Sequence, residues 1–140
     1  MSIIKSKGTV FSMGVGGAST AIAQIISLDL PEQAVETFEA DTLDNSGVGI
    51  PYKSTGRVEG GSVGGELFFN TTTHSVIIGF LTSPPDPDDD PQGTGSITFG
   101  GGGGLTFEIA GISLGGSVAL NDGVKGTFNA KLDGVATYTT

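Results

Sequence analysis

The chain of 140 residues has no cysteine and no tryptophan, a single histidine, and six basic residues against fifteen acidic ones. The missing sulfur excludes a disulfide framework and a thiolate metal site. A net charge of −9 and scarce Lys and Arg argue against tight grip on a phosphate backbone, which needs clustered cations. Long apolar runs are absent as well. The longest nearly uncharged stretch, Gly8 to Leu28, is interrupted by glycines, Ser12, Ser19, Thr20 and Gln24, too polar to cross a bilayer. The first residues, Met1 to Gly8, carry Lys5 and Lys7 without the apolar core of a secretory signal. Synthesis in the cytoplasm, with no membrane segment, is therefore the expectation.

What is abundant is glycine, 25 residues, together with Thr, Ser and short apolar runs. That mixture suits strands and turns rather than a helical bundle, and the length suits one domain over 1–140. Strands are expected at Thr9–Met13, at Ala21–Leu30 up to Pro31, and at Val35–Ala40. Residues 42–56 carry Asp44-Asn45-Ser46-Gly47, Gly49 and Pro51, the chemistry of a long loop or extended hairpin. Residues 56–70 read as one long strand, bulged at Gly60-Gly61 and Gly64-Gly65. One helix follows, capped by Asn70 or by one of Thr71 to Thr73. It carries Val76, Ile77, Phe80 and Leu81 at helical spacing and ends at Ser83-Pro84-Pro85. An acidic, proline-rich loop should fill 83–95. Beyond it come a strand at Ile97–Phe99 and a glycine turn at 100–104. Leu105, Phe107 and Ile109 then face one way, and Thr106 and Glu108 the other. Ile112–Leu120 and Val124–Leu132 form a hairpin through Asn121-Asp122-Gly123, and Val135–Tyr138 closes the chain. The sum is a mainly β protein, an antiparallel β-sandwich of about eight strands with one flanking helix.

Catalytic and metal chemistry finds little support. Asp86, Asp88 and Asp90 open like a calcium loop, but Pro91 and Ile97 stand where the turn glycine and bidentate Glu belong. His74 has no second histidine or cysteine to share a metal and is expected at an exposed helix start. The run Gly100–Gly104 leads into a strand and lacks the Gly-Lys-Ser/Thr of a phosphate loop. Glu36 and Glu39 sit in an acid-rich segment without a base, and sugar platforms would have only Tyr52 and Tyr138 to use. No enzyme, no cofactor and no metal are expected.

The order of segments resembles the major tail tube protein of long, non-contractile-tailed, lambda-like phages. Gly8-Thr9-Val10-Phe11 opens it, and Ile26-Ser-Leu-Asp-Leu-Pro31 leads to Val35-Glu-Thr-Phe-Glu-Ala-Asp41-Thr42-Leu43-Asp44. A glycine-bearing strand ends at Leu67-Phe68-Phe69-Asn70, a short helix follows, and Gly116 to Phe128 runs on to Lys131-Leu132-Asp133-Gly134. The resemblance implies a virion protein with six copies per ring, stacked into a hollow tail tube. Tail tip and terminator proteins would be its partners, and DNA would pass through transiently. The long loop would reach a neighbouring subunit or ring, with Thr42, Leu43, Asp44, Ile50, Pro51 and Tyr52 as assembly candidates. The acidic balance suits a wall that repels its cargo, with Glu59, Glu66 and Glu108 as lumen-charge candidates. Tubes of contractile tails, gene-transfer particles and secretion machines share this subunit plan and form the first alternative. An extracellular carbohydrate-binding sandwich is the alternative of another class.

Overall fold

The computed structural model describes residues 7–17, 19–71, 74–120 and 123–140. Among the described residues, ten strands and one helix follow in chain order. They are β1 (Val10–Val15), β2 (Thr20–Ile22), β3 (Ile25–Asp29), β4 (Ala34–Glu39), β5 (Tyr52–Glu59), β6 (Ser62–Phe68), α1 (Ser75–Thr82), β7 (Gly93–Thr98), β8 (Gly104–Ser117), β9 (Lys125–Leu132) and β10 (Thr137–Thr139). Every pairing is antiparallel. One hydrogen-bonded path runs β2-β1-β7-β8-β9-β6-β3, with β10 also on β8, and β4 pairs only with β5.

β8 turns the corner between two layers. Its first half pairs with β7 and β10, its second half with β9, and the register shifts between Ile109 and Gly111. An extra residue at such a point bends the strand and lets one sheet fold over itself. The first layer is thus β2-β1-β7-β8-β10, and the second is β8-β9-β6-β3. Alternation fills the space between them: Phe11 and Met13, Ile97, Leu105, Phe107 and Ile109 meet Val63, Leu67, Phe128 and Ala130, all buried. Phe11 of the first layer stacks on Phe128 of the second, ring centroids 5.3 Å apart, and on Phe107 at 6.4 Å. Helix α1 covers one end against β1 and β8, burying Ile77 and Phe80. Gly93 and Gly95 leave room there, because a Cβ on either would run into Phe80 or Phe107. The protein is a mainly β antiparallel sandwich with a single helix, and no described helix is long and apolar enough to cross a membrane.

Several expected boundaries move. Ala21–Leu30 divides at Ala23-Gln24, where Gln24 takes φ +60°. The long strand over 56–70 is two strands in different sheets. Gly60 and Gly61 turn the chain between β5 and β6, and Gly60 passes against the Gly134 carbonyl where no side chain fits. Gly64-Gly65 is no bulge: β6 pairs evenly with β9, and Gly65 has no side chain because the Ser27 carbonyl of β3 lies over it. The acidic loop closes at Gly93, where β7 begins. Of the proposed helix caps, Asn70 lies before the helix and His74 is the N-cap without a side-chain bond, while Thr72 and Thr73 lie outside the described residues. Ile112 pairs with Ala130, as the closing hairpin requires, but its turn residues Asn121 and Asp122 also lie outside the described residues.

Candidate assembly surface

His74 is fully buried, contrary to its expected exposure. Its Nδ1 accepts the Asn70 backbone N–H at 3.1 Å, which leaves Nε2–H to donate to the Ala23 carbonyl at 2.8 Å. Phe69 stacks on the ring, centroids 6.0 Å apart. The imidazole therefore ties the start of α1 to the corner between β2 and β3, a structural role with no open side for a substrate. In the acidic loop, Asp88 and Asp86 donate their backbone N–H groups to the Asp86 and Asp89 carboxylates, at 2.9 and 3.2 Å. Among the described residues no group of three or more His, Asp or Glu is placed to hold a metal. Phe99 and Gly102 close the glycine run as a hairpin turn between β7 and β8.

The feature that stands apart is the β4–β5 ribbon. All eight residues of β5 are exposed, and β4 is nearly as open. Among the described residues neither strand makes more than marginal contact with another element. Yet Val35, Phe38, Tyr52 and Val58 all carry exposed apolar surface. Register places Val35, Val58 and Tyr52 on one side and Phe38 on the other, so both faces are apolar in part. The expected loop at 42–56 is shorter than its sequence suggested, since Tyr52 to Gly56 belong to β5. Its tip is ordered by its own side chains. Asp41 accepts from Asn45 Nδ2 at 2.6 Å and from the Thr42 N–H at 3.0 Å, and the Thr42 hydroxyl donates to Asp44. That bond, with the Asp44 backbone N–H, holds the Asp44 carboxyl below its usual 3.8. Leu43 and Val48 project from this tip fully exposed, and Ile50 is half exposed. Thr42, Leu43, Asp44, Ile50, Pro51 and Tyr52 thus share one protruding element.

The three glutamates do not share a surface. Glu108 lies on the outer face of the first layer, Glu66 on that of the second, and Glu59 at the ribbon base. Around Glu108, Ser12, Ser96, Thr106 and Thr137 stand in register across β1, β7, β8 and β10. The outer face of the second layer carries Asp29 and Glu66, but also Lys125 and Lys131. Sequence reasoning missed a third feature, the apolar end of the β8–β9 hairpin. Val118 and Leu120 are strongly exposed there, beside Phe68 and Val124. Apolar residues on both flanks of Asn121-Asp122-Gly123 were the available signal.

These features define a β-sandwich with one helix and a protruding, partly apolar ribbon. No family model and no curated protein sequence matches the chain. Solved structures do. A chain in the tail of an empty gene transfer agent (GTA) particle, refined with helical C6 symmetry, superposes with a TM-score of 0.66 at 13% identity, over 99% of this chain and 100% of that one. A chain of the six-fold symmetrised anti-feeding prophage (AFP) baseplate gives 0.66 at 12% identity, over 99% and 95%. A chain of the PVC sheath-tube complex, an extracellular contractile injection system in its extended state, gives 0.60 at 14%, over 100% and 91%. The chain has the fold of these components along nearly its whole length.

Proposed function

We propose that the chain is the tube subunit of a tail-like particle, polymerising as six-membered rings that stack into a hollow conduit. The β4–β5 ribbon carries this reading. A lone two-stranded ribbon is at best marginally stable in water, and one with apolar groups on both faces needs a surface to lie on. A neighbouring subunit supplies it. The short edge strands β2, β3 and β10 offer further unpaired backbone that a ring can cover. The fold likeness to chains in a C6 tail and in a six-fold symmetrised baseplate supports the same geometry. It also widens the class beyond lambda-like, non-contractile tails, and favours the gene-transfer or injection tube that was the alternative reading. Tail tip and terminator proteins would contact only the last rings, and the localisation is the particle.

Of the two outer faces, that of β1, β7, β8 and β10 suits the channel wall. Its strands place hydroxyls and Glu108 outward and no Lys or Arg, whereas β9 presents Lys125 and Lys131 on the other. A wall without cations does not grip a polyanion, so each phosphate passes without a contact that must be broken. Electron microscopy of the concentrated protein tests the reading. Uniform hollow tubes of six-fold rings are expected, with Glu108 facing the lumen. A protein that stays monomeric when seeded with preformed tube ends would overturn the function, and tubes with Lys125 and Lys131 in the lumen would overturn the wall.

A further inference from the structure

The ribbon tip has no core to hold its shape. All ten residues from 41 to 50 are exposed, and Leu43 and Val48 stand bare on it. Burial therefore fixes nothing there, and polar bonds must. One side chain makes three of the five side-chain bonds within the tip. Asn45 Nδ2 donates to the Asp41 carboxylate at 2.6 Å and to the Gly49 carbonyl at 3.4 Å, while Asn45 Oδ1 accepts the Gly47 N–H at 3.0 Å. Its own backbone N–H donates to the Thr42 carbonyl at 3.1 Å. We infer that Asn45 is the positioning residue of the tip, a clasp that holds residues 41–50 in one shape in the free chain, before any partner arrives.

Three observations carry this. The first is reach. Asp41 follows β4 and Gly49 precedes β5, so Asn45 joins the outgoing arm to the returning one, just beyond the neck that the Ala40 N–H closes on the Pro51 carbonyl at 2.9 Å. The second is charge. A carboxylate is a stronger acceptor than a neutral carbonyl, so the short bond from Asn45 to Asp41 is the firmest link between the arms. The third is position. Asn45 stands between Leu43 and Val48, so the same clasp sets the spacing of the two bare apolar side chains. A segment ordered beforehand loses less entropy on docking than one that must order on contact. This consequence for assembly rests on the tube reading, whereas the order of the tip in the free chain does not.

Nitrogen-15 relaxation of the unassembled full chain tests the clasp. Backbone order parameters over 42–49 should match the strands at about 0.8 in the wild type, and fall below about 0.6 in Asn45→Asp, where two carboxylates replace the bonded pair. The tip is exposed, so this variant should fold, checked by urea unfolding. Combining Asp41→Asn with Asn45→Asp should restore the order. An amide at 41 then donates to a carboxylate at 45, both acceptors of backbone N–H remain, and the net charge returns to −9. The critical concentration for polymerisation, read by sedimentation, should rise about 5- to 20-fold in Asn45→Asp and return most of the way in the exchange. A disordered wild-type tip, or an Asn45→Asp tip as ordered as the wild type, would overturn the clasp. An exchange variant as loose as Asn45→Asp would overturn the bond to Asp41 as its basis. An unchanged critical concentration in a loosened variant would overturn its part in assembly. Failure of the wild-type chain to polymerise would overturn the tube reading, and the order parameters would still decide the clasp.

Discussion

The sandwich body and the β4–β5 ribbon are built from the same strand chemistry and end in opposite states. In the body, alternation puts one side chain in two into a sealed interior: β9 reads buried at Gly126, Phe128, Ala130 and Leu132 and exposed between them. In the ribbon, Val35, Phe38, Tyr52 and Val58 have equal apolar character and no interior to enter. Alternation therefore specifies a strand, but a second layer is what makes it a stable one. The body has that layer within the chain. The ribbon has none among the described residues, and on the proposed tube reading a neighbouring subunit supplies it.

The comparison predicts that changes in the body cost stability and changes in the ribbon cost assembly. Phe128→Ala should be the most damaging. Its ring is buried and stacks on Phe11 across the layers, so its loss should destabilise the monomer by about 3–5 kcal/mol, read from urea denaturation. A loss below about 1 kcal/mol would mean that the two layers do not depend on this contact. His74→Ala should come next, at about 2–4 kcal/mol, since it removes the donor to the Ala23 carbonyl and the acceptor of the Asn70 N–H and empties a buried site. Amide exchange should rise first in α1 and around Gln24, the two segments that the imidazole ties together. Uniform acceleration across β8 and β9 instead would show that His74 supports the whole core.

Replacing residues 41–50 with Asn-Gly should change monomer stability by no more than about 0.5 kcal/mol, because all ten are exposed and their side-chain hydrogen bonds stay within the tip. Tubes should be lost. A large drop in the unfolding midpoint would erase the distinction between body and ribbon.

Much of the body was legible because its signals are local. Leu105, Phe107 and Ile109 alternate with Thr106 and Glu108, and a helix ends at Ser83-Pro84-Pro85; the structure has both. The failures concern distant backbone. Gly60 and Gly65 look alike in sequence, yet one sits where the chain passes Gly134 and the other under Ser27, contacts made only after folding. His74 was misplaced for the same reason, since Ala23, its acceptor, lies 51 residues away. The ribbon residues at 42–52 were singled out by turn chemistry and by resemblance. The apolar end of the β8–β9 hairpin was not, because an apolar residue beside a turn reads the same whether it is buried or bare.

The smallest effect separates the ribbon tip from the body by pH. The Thr42 hydroxyl and the Asp44 backbone N–H favour the charged carboxylate, so Asp44 titrates below 3.8 in the folded chain. A depressed folded value means that the turn gains support above 3.8 and loses it as the pH falls through the lower folded value. The carboxyl is fully exposed, so solvent screening keeps this local to the tip. A carbon-detected NMR titration should therefore show Asp44 protonating below the ordinary range, with Thr42→Val returning it toward 3.8. The resonances of Phe11 and Phe128 should not move in the same step. If they shift together with Asp44, the tip is coupled to the core, and the ribbon is a part of the body after all.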